Sequence, residues 1–251
     1  MTRTISAPFR AVIAEFVGTA LLVTVVVGSG IAAAQLSPSD AGLQLLENSI
    51  ATAFGLSVLI LLFGPVSGAH FNPVVSAADW LLDRRAGSRI TIGSVVAYAA
   101  AQVSGGIIGA VLANVMFDRT ALEISTKDRL TAGHFIGEVA ATAGLIAVIF
   151  ALARTGRAAL SAAAVGAYIG AAYWFTSSTS FANPAVTVGR MFSDSFAGIA
   201  PSSVLPFIGA QIVGALIGLA LVVALYPDAA RSADQAVVPH GRHISETGSG
   251  P

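Results

Sequence analysis

Two short stretches, GAHFNPVVS at Gly68–Ser76 and SFANPAVTVG at Ser180–Gly189, each set an Asn-Pro pair inside an apolar region. Asn72 and Asn183 suit the N-cap of a helix, where a side-chain oxygen accepts the first free backbone N–H groups. Pro73 and Pro184 suit the first helical position, where a missing N–H removes nothing. Each helix start falls too soon after the preceding apolar run to open a new full membrane crossing. A helix that begins at membrane depth is tolerated only if its loop lines a cavity or is buried in protein. Two such starts, one in each half of the chain, predict a pore.

Composition supports a membrane setting. The 251 residues are 55% hydrophobic and 10% charged, against roughly 25% charged in soluble domains. The net charge is zero and no basic stripe points to nucleic acid. Cysteine is absent, which excludes disulfides and thiolate metal sites. The histidines and carboxylates show no metal-ligand spacing and there is no Gly-rich phosphate loop, so neither a cofactor nor ATP-driven pumping is expected.

Apolar runs at Phe9–Ala34, Glu47–Phe63 and Ile90–Phe117 are each taken as a span, against the ~20 residues a bilayer requires. Gly133–Ala153, Ala158–Phe175 and Val204–Tyr226 repeat the pattern. Between spans two and three lies a half-helix, Asn72–Leu82; between five and six lies another, Asn183–Phe192. Glu15, Thr19 and Leu22 match Glu138, Thr142 and Leu145, and Ala101, Gln102, Gly105 and Gly109 match Ala210, Gln211, Gly214 and Gly218. Each repeat, 9–117 and 133–226, has an odd number of spans, so the two insert with opposite orientation. The expected fold is an all-α membrane protein: six transmembrane helices plus two re-entrant half-helices in an inverted repeat. The channel domain covers 1–226, and the polar tail 227–251 reads as disordered.

Arg3, Arg10, Arg84, Arg85, Arg89, Arg154, Arg157, Arg231 and Arg242 fall on one side of this topology, which places both termini in the cytoplasm. The loop Asp118–Ala132, of mixed charge, is expected to be exposed. The half-helices would then point their N-termini at each other, each carrying about +0.5 of a charge. Such ends repel cations, and the amides of Asn72 and Asn183 can donate to a passing oxygen. Backbone carbonyls of Gly68, Ala69, His70 and Phe71, and of Thr179, Ser180, Phe181 and Ala182, are expected to line one wall. The second and fifth spans would supply the apolar wall opposite. Asp79 reads as a solvated or Arg-paired group, and His70 as a loop brace. Gln102 and Gln211 are expected to bond loop backbone. Gly105–Gly109 and Gly214–Gly218 have the spacing of close helix packing.

With both motifs at matched places, the chain resembles the aquaporin and aquaglyceroporin family, from AEFVGT to GAQIVGALIG. The resemblance implies six tilted helices with two half-helices, passive conduction rather than catalysis, an inner-membrane location and a homotetramer in lipid. The pore motifs would be Asn72-Pro73-Val74 and Asn183-Pro184-Ala185, the first with valine where the family usually has alanine. The family usually places an arginine where Val186 stands. Carried over by gapless counting, the constriction would be Thr52, Ala171, Ser180 and Val186, wide and without aromatic ring or charge. Arg190, one turn beyond Val186, reads either as a displaced cation at the outer mouth or as a partner of Asp194; the second is preferred. Glu15 and Glu138 would be proton relays if functional, whereas the resemblance implies that they brace the loops. The stretch NPAVTVGRMFSDSFAGIAP, after YWFTSSTSFANPA, is similar to aquaglyceroporins encoded beside bacterial arsenic-resistance genes. That implies passage of small neutral solutes: water, glycerol, and arsenous acid or methylated arsenicals. The rival readings are a water-selective channel, an ion-coupled secondary transporter and a closed, junction-forming membrane protein.

Overall fold

In the computed structural model, residues 6–83 and 91–227 are described. The helices are α1 (Ala7–Leu36), α2 (Ala41–Ser67), α3 (Pro73–Asp83), α4 (Ile92–Met116), α5 (Ala132–Arg154), α6 (Ser161–Phe175), α7 (Pro184–Arg190) and α8 (Pro201–Leu225), with a 3₁₀ turn at Ala158–Leu160 before α6. Six of them, counting that turn with α6, are long and apolar enough to cross a membrane. The shorter α3 and α7 follow the two asparagines. Arg3, Arg84, Arg85, Arg89, Arg231 and Arg242, and the tail beyond Pro227, lie outside the described residues.

Several boundaries differ from the sequence reading, each for a local reason. The loop expected at Gln35–Leu46 shrinks, because Asp40 caps α2 by accepting from the Leu43 N–H at 2.9 Å. Gly64-Pro65 does not stop α2. A proline this close to a C-terminus forfeits little of the helical ladder, and α2 closes instead at left-handed Gly68, whose N–H reaches Gly64 O at 2.9 Å. Helix α7 ends at Arg190 rather than Phe192, and Met191 turns its carbonyl to Ser125 N at 2.9 Å. Helix α8 starts earlier than expected, with Pro201 in its first turn.

Within each repeat the first and third spans are pressed together, α1 on α4 and α5 on α8. Glycine permits the approach. A Cβ at Gly105 or Gly109 would strike the carbonyl oxygens of Phe16 and Ala20, and one at Gly214 or Gly218 those of Val139 and Ala143. Helices α2 and α6 join the repeats. The half-helices cross over: α7 packs on α4, and α3 packs on α8 as well as α4.

The loop 117–131 is largely exposed, as expected, but it is anchored at several points. Thr126 N donates to Asp194 Oδ1 at 2.9 Å and Ala200 N to Lys127 O at 2.8 Å, and Arg129 is buried. The loop is stitched to the segment that follows α7.

Candidate functional site

The two loops before the half-helices hold non-glycine residues in left-handed backbone: Ala69 and Phe71 in the first, Thr179, Ser180 and Ala182 in the second. Such conformations cost on the order of 1–3 kcal/mol each and persist only where the surroundings over-determine them. Here the surroundings are two buried carboxylates. Glu15 accepts from His70 N (2.9 Å), Phe71 N (2.7 Å), the Ser67 hydroxyl (2.6 Å) and Gln102 Nε2 (2.7 Å). Glu138 accepts from Phe181 N (2.8 Å), Ala182 N (2.8 Å) and Gln211 Nε2 (2.7 Å). Each glutamine also reaches its half-helix, Gln102 to Ser76 Oγ at 3.1 Å and Gln211 to Thr187 Oγ1 at 2.8 Å. With both oxygens of each carboxylate occupied, neither glutamate is set up to hand on a proton. Gln102 and Gln211 bond side chains, not the loop backbone they were expected to reach.

The asparagines tie one loop to the other. Asn72 Nδ2 donates to Ala182 O at 2.8 Å, and Asn183 Nδ2 donates to Phe71 O at 2.7 Å. Their oxygens cap the half-helices, Asn72 accepting from Val74 N at 3.1 Å, Asn183 from Ala185 N at 2.9 Å and Val186 N at 3.2 Å. A primary amide carries two N–H groups, so each asparagine keeps one beyond the cross-tie. Both line a cavity that runs between the repeats.

That cavity is walled by apolar side chains of α1, α2, α5 and α6, more helices than the sequence reading supplied: Leu22 and Val26, Leu56 and Ile60, Leu145 and Ile149, Val165 and Ile169. Ala69, His70, Phe71, Ser180 and Phe181 line it from the loops; Gly68, Thr179 and Ala182 do not. Pro73, Val74, Pro184 and Ala185 also stay out of the lining. Val74 and Ala185 are buried in the protein, and their helices turn those faces to protein rather than to the lumen.

The expected constriction is corrected. Thr52, Ser180 and Val186 line the cavity, but Ala171 is exposed on the outer face of α6. Tyr173 stands on the cavity side instead, its hydroxyl 3.1 Å from Thr52 Oγ1. A helix turns about 100° per residue, so two positions carry a side chain to nearly the opposite face, and gapless counting across the loop picked the wrong one. The cue was present: Val165, Ile169 and Tyr173 recur at helical spacing.

The cavity is not uncharged either. Arg190 lines it and does not pair with Asp194, whose carboxylate is taken by Thr126. Its Nε donates to Ala197 O, and its guanidinium lies 3.4 Å from the centroid of the Phe181 ring. Asp79, expected solvated or beside arginine, is buried with Oδ2 3.5 Å from His70 Nε2. His70 also meets Ser76 Oγ through Nδ1 at 3.0 Å.

Sequence reasoning missed Arg129. It reaches Gly198 O (2.8 Å), Ser178 O (3.3 Å) and Phe196 O (3.3 Å) and sits 5.0 Å from the Phe181 centroid. Burial pushes its guanidinium down to about 10. Desolvation, then Arg129 and Arg190, pull the Lys127 ammonium down to about 8. Among the described residues no group of His, Asp or Glu side chains could hold a metal ion.

A model of the Major intrinsic protein family matches residues 1–181. The chain belongs to that family. It is 47% identical over 213 residues to the aquaglyceroporin AqpS of Rhizobium meliloti, spanning 85% of this chain and 88% of that one. It is 33% identical over 171 residues to the glycerol uptake facilitator protein of Pseudomonas aeruginosa, spanning 59% and 58% of the two chains. The X-ray structure of the aquaglyceroporin from Plasmodium falciparum shares the fold, with a TM-score of 0.62 at 20% identity over 87% of this chain and 95% of that one. The protein is thus a multi-pass membrane channel of this family and not an enzyme. The family match stops just short of Asn183, so Val186 and Arg190 lie beyond it.

Proposed function

We propose that this member of the family conducts small neutral hydroxylated solutes passively: water, glycerol, and arsenous acid or methylated arsenicals. The carrying observation is the pair of cross-tied asparagines, each with an N–H to spare beside the cavity. A solute oxygen held by both amides exchanges its hydration for protein donors between the two half-helices. The apolar wall opposite offers nothing that binds it tightly. The names of the relatives, an aquaglyceroporin and a glycerol uptake facilitator, support glycerol as a substrate. Arsenous acid is neutral at pH 7 and presents hydroxyls much as a small polyol does. The reading is completed by a homotetramer in the inner membrane with both termini cytoplasmic.

The test is flux through proteoliposomes. Wild-type protein should pass water, glycerol and arsenous acid without a proton or sodium gradient. Val186→Arg should cut glycerol and arsenous acid more than water, because it places a bulky cation beside Thr52 and Tyr173. Saturable, gradient-dependent flux would instead establish a coupled transporter. Water flux without glycerol flux would establish a water-selective channel.

A further inference from the structure

Lys127 is the one lysine in the sequence, against twelve arginines. It stands in the loop between α4 and α5 and is exposed. Its Nζ donates to Phe196 O at 2.8 Å and lies 4.7 Å from the centroid of the Phe196 ring. Arg129 Nη2 donates to that same carbonyl oxygen at 3.3 Å. Two cationic groups therefore converge on one acceptor. The acids of the two segments do not offset them. Asp128 accepts from Leu130 N and the Ser203 hydroxyl, Asp194 from Thr126, and Glu123 from Arg119. His134, the titratable group at the start of α5, bonds the Arg129 carbonyl at 2.7 Å. Among the described residues the ion pairs are His70–Asp79 and Arg119–Glu123, so Lys127, Arg129 and Arg190 each lack a carboxylate partner.

The Phe196 ring favours the ammonium form. Desolvation and the two guanidiniums outweigh it, and the proton is given up near 8. A neutral amine still carries N–H groups for Phe196 O and gains a free lone pair. A lysine beside another cation is a nucleophile at neutral pH. We propose that Lys127 is a reversible carbamate-forming site for carbon dioxide. The neutral Nζ adds to the carbon of the gas, forming an N–C bond as one C=O electron pair moves onto oxygen. One amine proton leaves to solvent, and nothing is oxidised or reduced. The N–H that remains still serves Phe196 O. Carbon dioxide suits this place because it arrives uncharged and leaves the anion that the cluster lacks. The carbamate turns repulsion between Lys127 and Arg129 into attraction, which tightens the loop on the segment after α7. Lys127 does not line the cavity, so the site is independent of which solute the channel conducts.

The test uses full-length protein in detergent at pH 8 under ¹³C-labelled carbon dioxide. Carbamates are trapped by ethylation with triethyloxonium and located by peptide mass spectrometry. A free peptide of Ser125–Leu130 in the same tube is the control. Its α-amino group, with a pKa of about 8, reports that trapping works, and its unanchored lysine, at about 10.4, sets the background. Lys127 in the folded protein should carry several-fold more label than the peptide lysine. Its label should fall at least roughly tenfold at pH 6 and the same gas pressure, as the amine becomes protonated. At fixed pH and ionic strength, carbon dioxide should raise the thermal unfolding midpoint of the wild type by about 2–4 °C. Lys127→Arg, which keeps the charge and cannot form the carbamate, should lose that rise. A labelled α-amino group with Lys127 no more labelled than the peptide lysine would overturn the site. Label on Lys127 without a thermal rise, or an equal rise in Lys127→Arg, would overturn the tightened docking.

Discussion

The two half-helix units are built on one plan and finished with opposite chemistry. In each, a buried glutamate clamps two loop amides, a glutamine bridges that glutamate to the half-helix, and an asparagine caps its own helix while bonding the other loop. Asp79 and Arg190 stand at the same distance past their asparagines, and His70 and Phe181 at the same distance before them. In one unit an acid lies 3.5 Å from an imidazole; in the other a guanidinium lies 3.4 Å from a phenyl centroid. An inverted repeat can therefore hold its backbone scaffold constant while giving each half-helix its own charge. The scaffold must satisfy buried loop amides, which both repeats do in the same way, and the residues farther along each half-helix are free of that constraint.

The largest effect expected from breaking this parallel is at the glutamates. Each stranded buried donor costs about 1–3 kcal/mol, so Glu15→Leu and Glu138→Leu should each lower stability by several kcal/mol. Glu15 serves more donors, with Ser67 as an addition that Glu138 lacks, and should show the larger fall in the thermal unfolding of detergent-solubilised protein. Equal falls would mean that the Ser67 bond contributes nothing. Next come the glycine seams. Gly109→Leu and Gly218→Leu drive side chains into the carbonyls of Ala20 and Ala143, at about 1–3 kcal/mol or more, and should lower folded yield alike. A smaller effect separates Tyr173 from Ala171. Tyr173→Ala should raise glycerol flux relative to water, whereas Ala171→Leu should leave the ratio unchanged. Tyr173→Phe, which removes the bond to Thr52, should cost about 1 kcal/mol.

The smallest effect concerns pH at the loop between α4 and α5. The Lys127 ammonium gives up its proton near 8 in the folded protein but near 10.5 when unfolded. Between those values the unfolded chain holds more protons, so stability should rise slightly with pH, and Lys127→Met should flatten that rise. Much of the side chain is exposed, which keeps the effect small.

Residue patterns that repeat were readable in advance. The asparagines, the glutamates and the glycine pairs each occur twice at matching places, and a chance double match is improbable. The span count followed from hydropathy alone. What could not be read were features that depend on the exact rotation of a helix or on long-range docking. Ala171 and Tyr173 differ by two positions, and the loop between α6 and Asn183 decides which one faces inward. Asp194 stands at helical spacing from Arg190, but the helix has ended before it and Thr126, remote in sequence, claims its carboxylate. Arg129 sits in a stretch of mixed charge with no local sign that its guanidinium will be buried against carbonyls of the segment after α7.

Because the Asn72 amide finds its acceptor on Ala182, and the Asn183 amide on Phe71, the first loop, clamped by Glu15 within its own repeat, gains its cross-tie only when the distal part of the polypeptide arrives. During synthesis the leading three spans sit in the bilayer with that cross-tie unmade. Maturation is then a single late docking event, and a truncated product of the first repeat lacks the other half of its own lock.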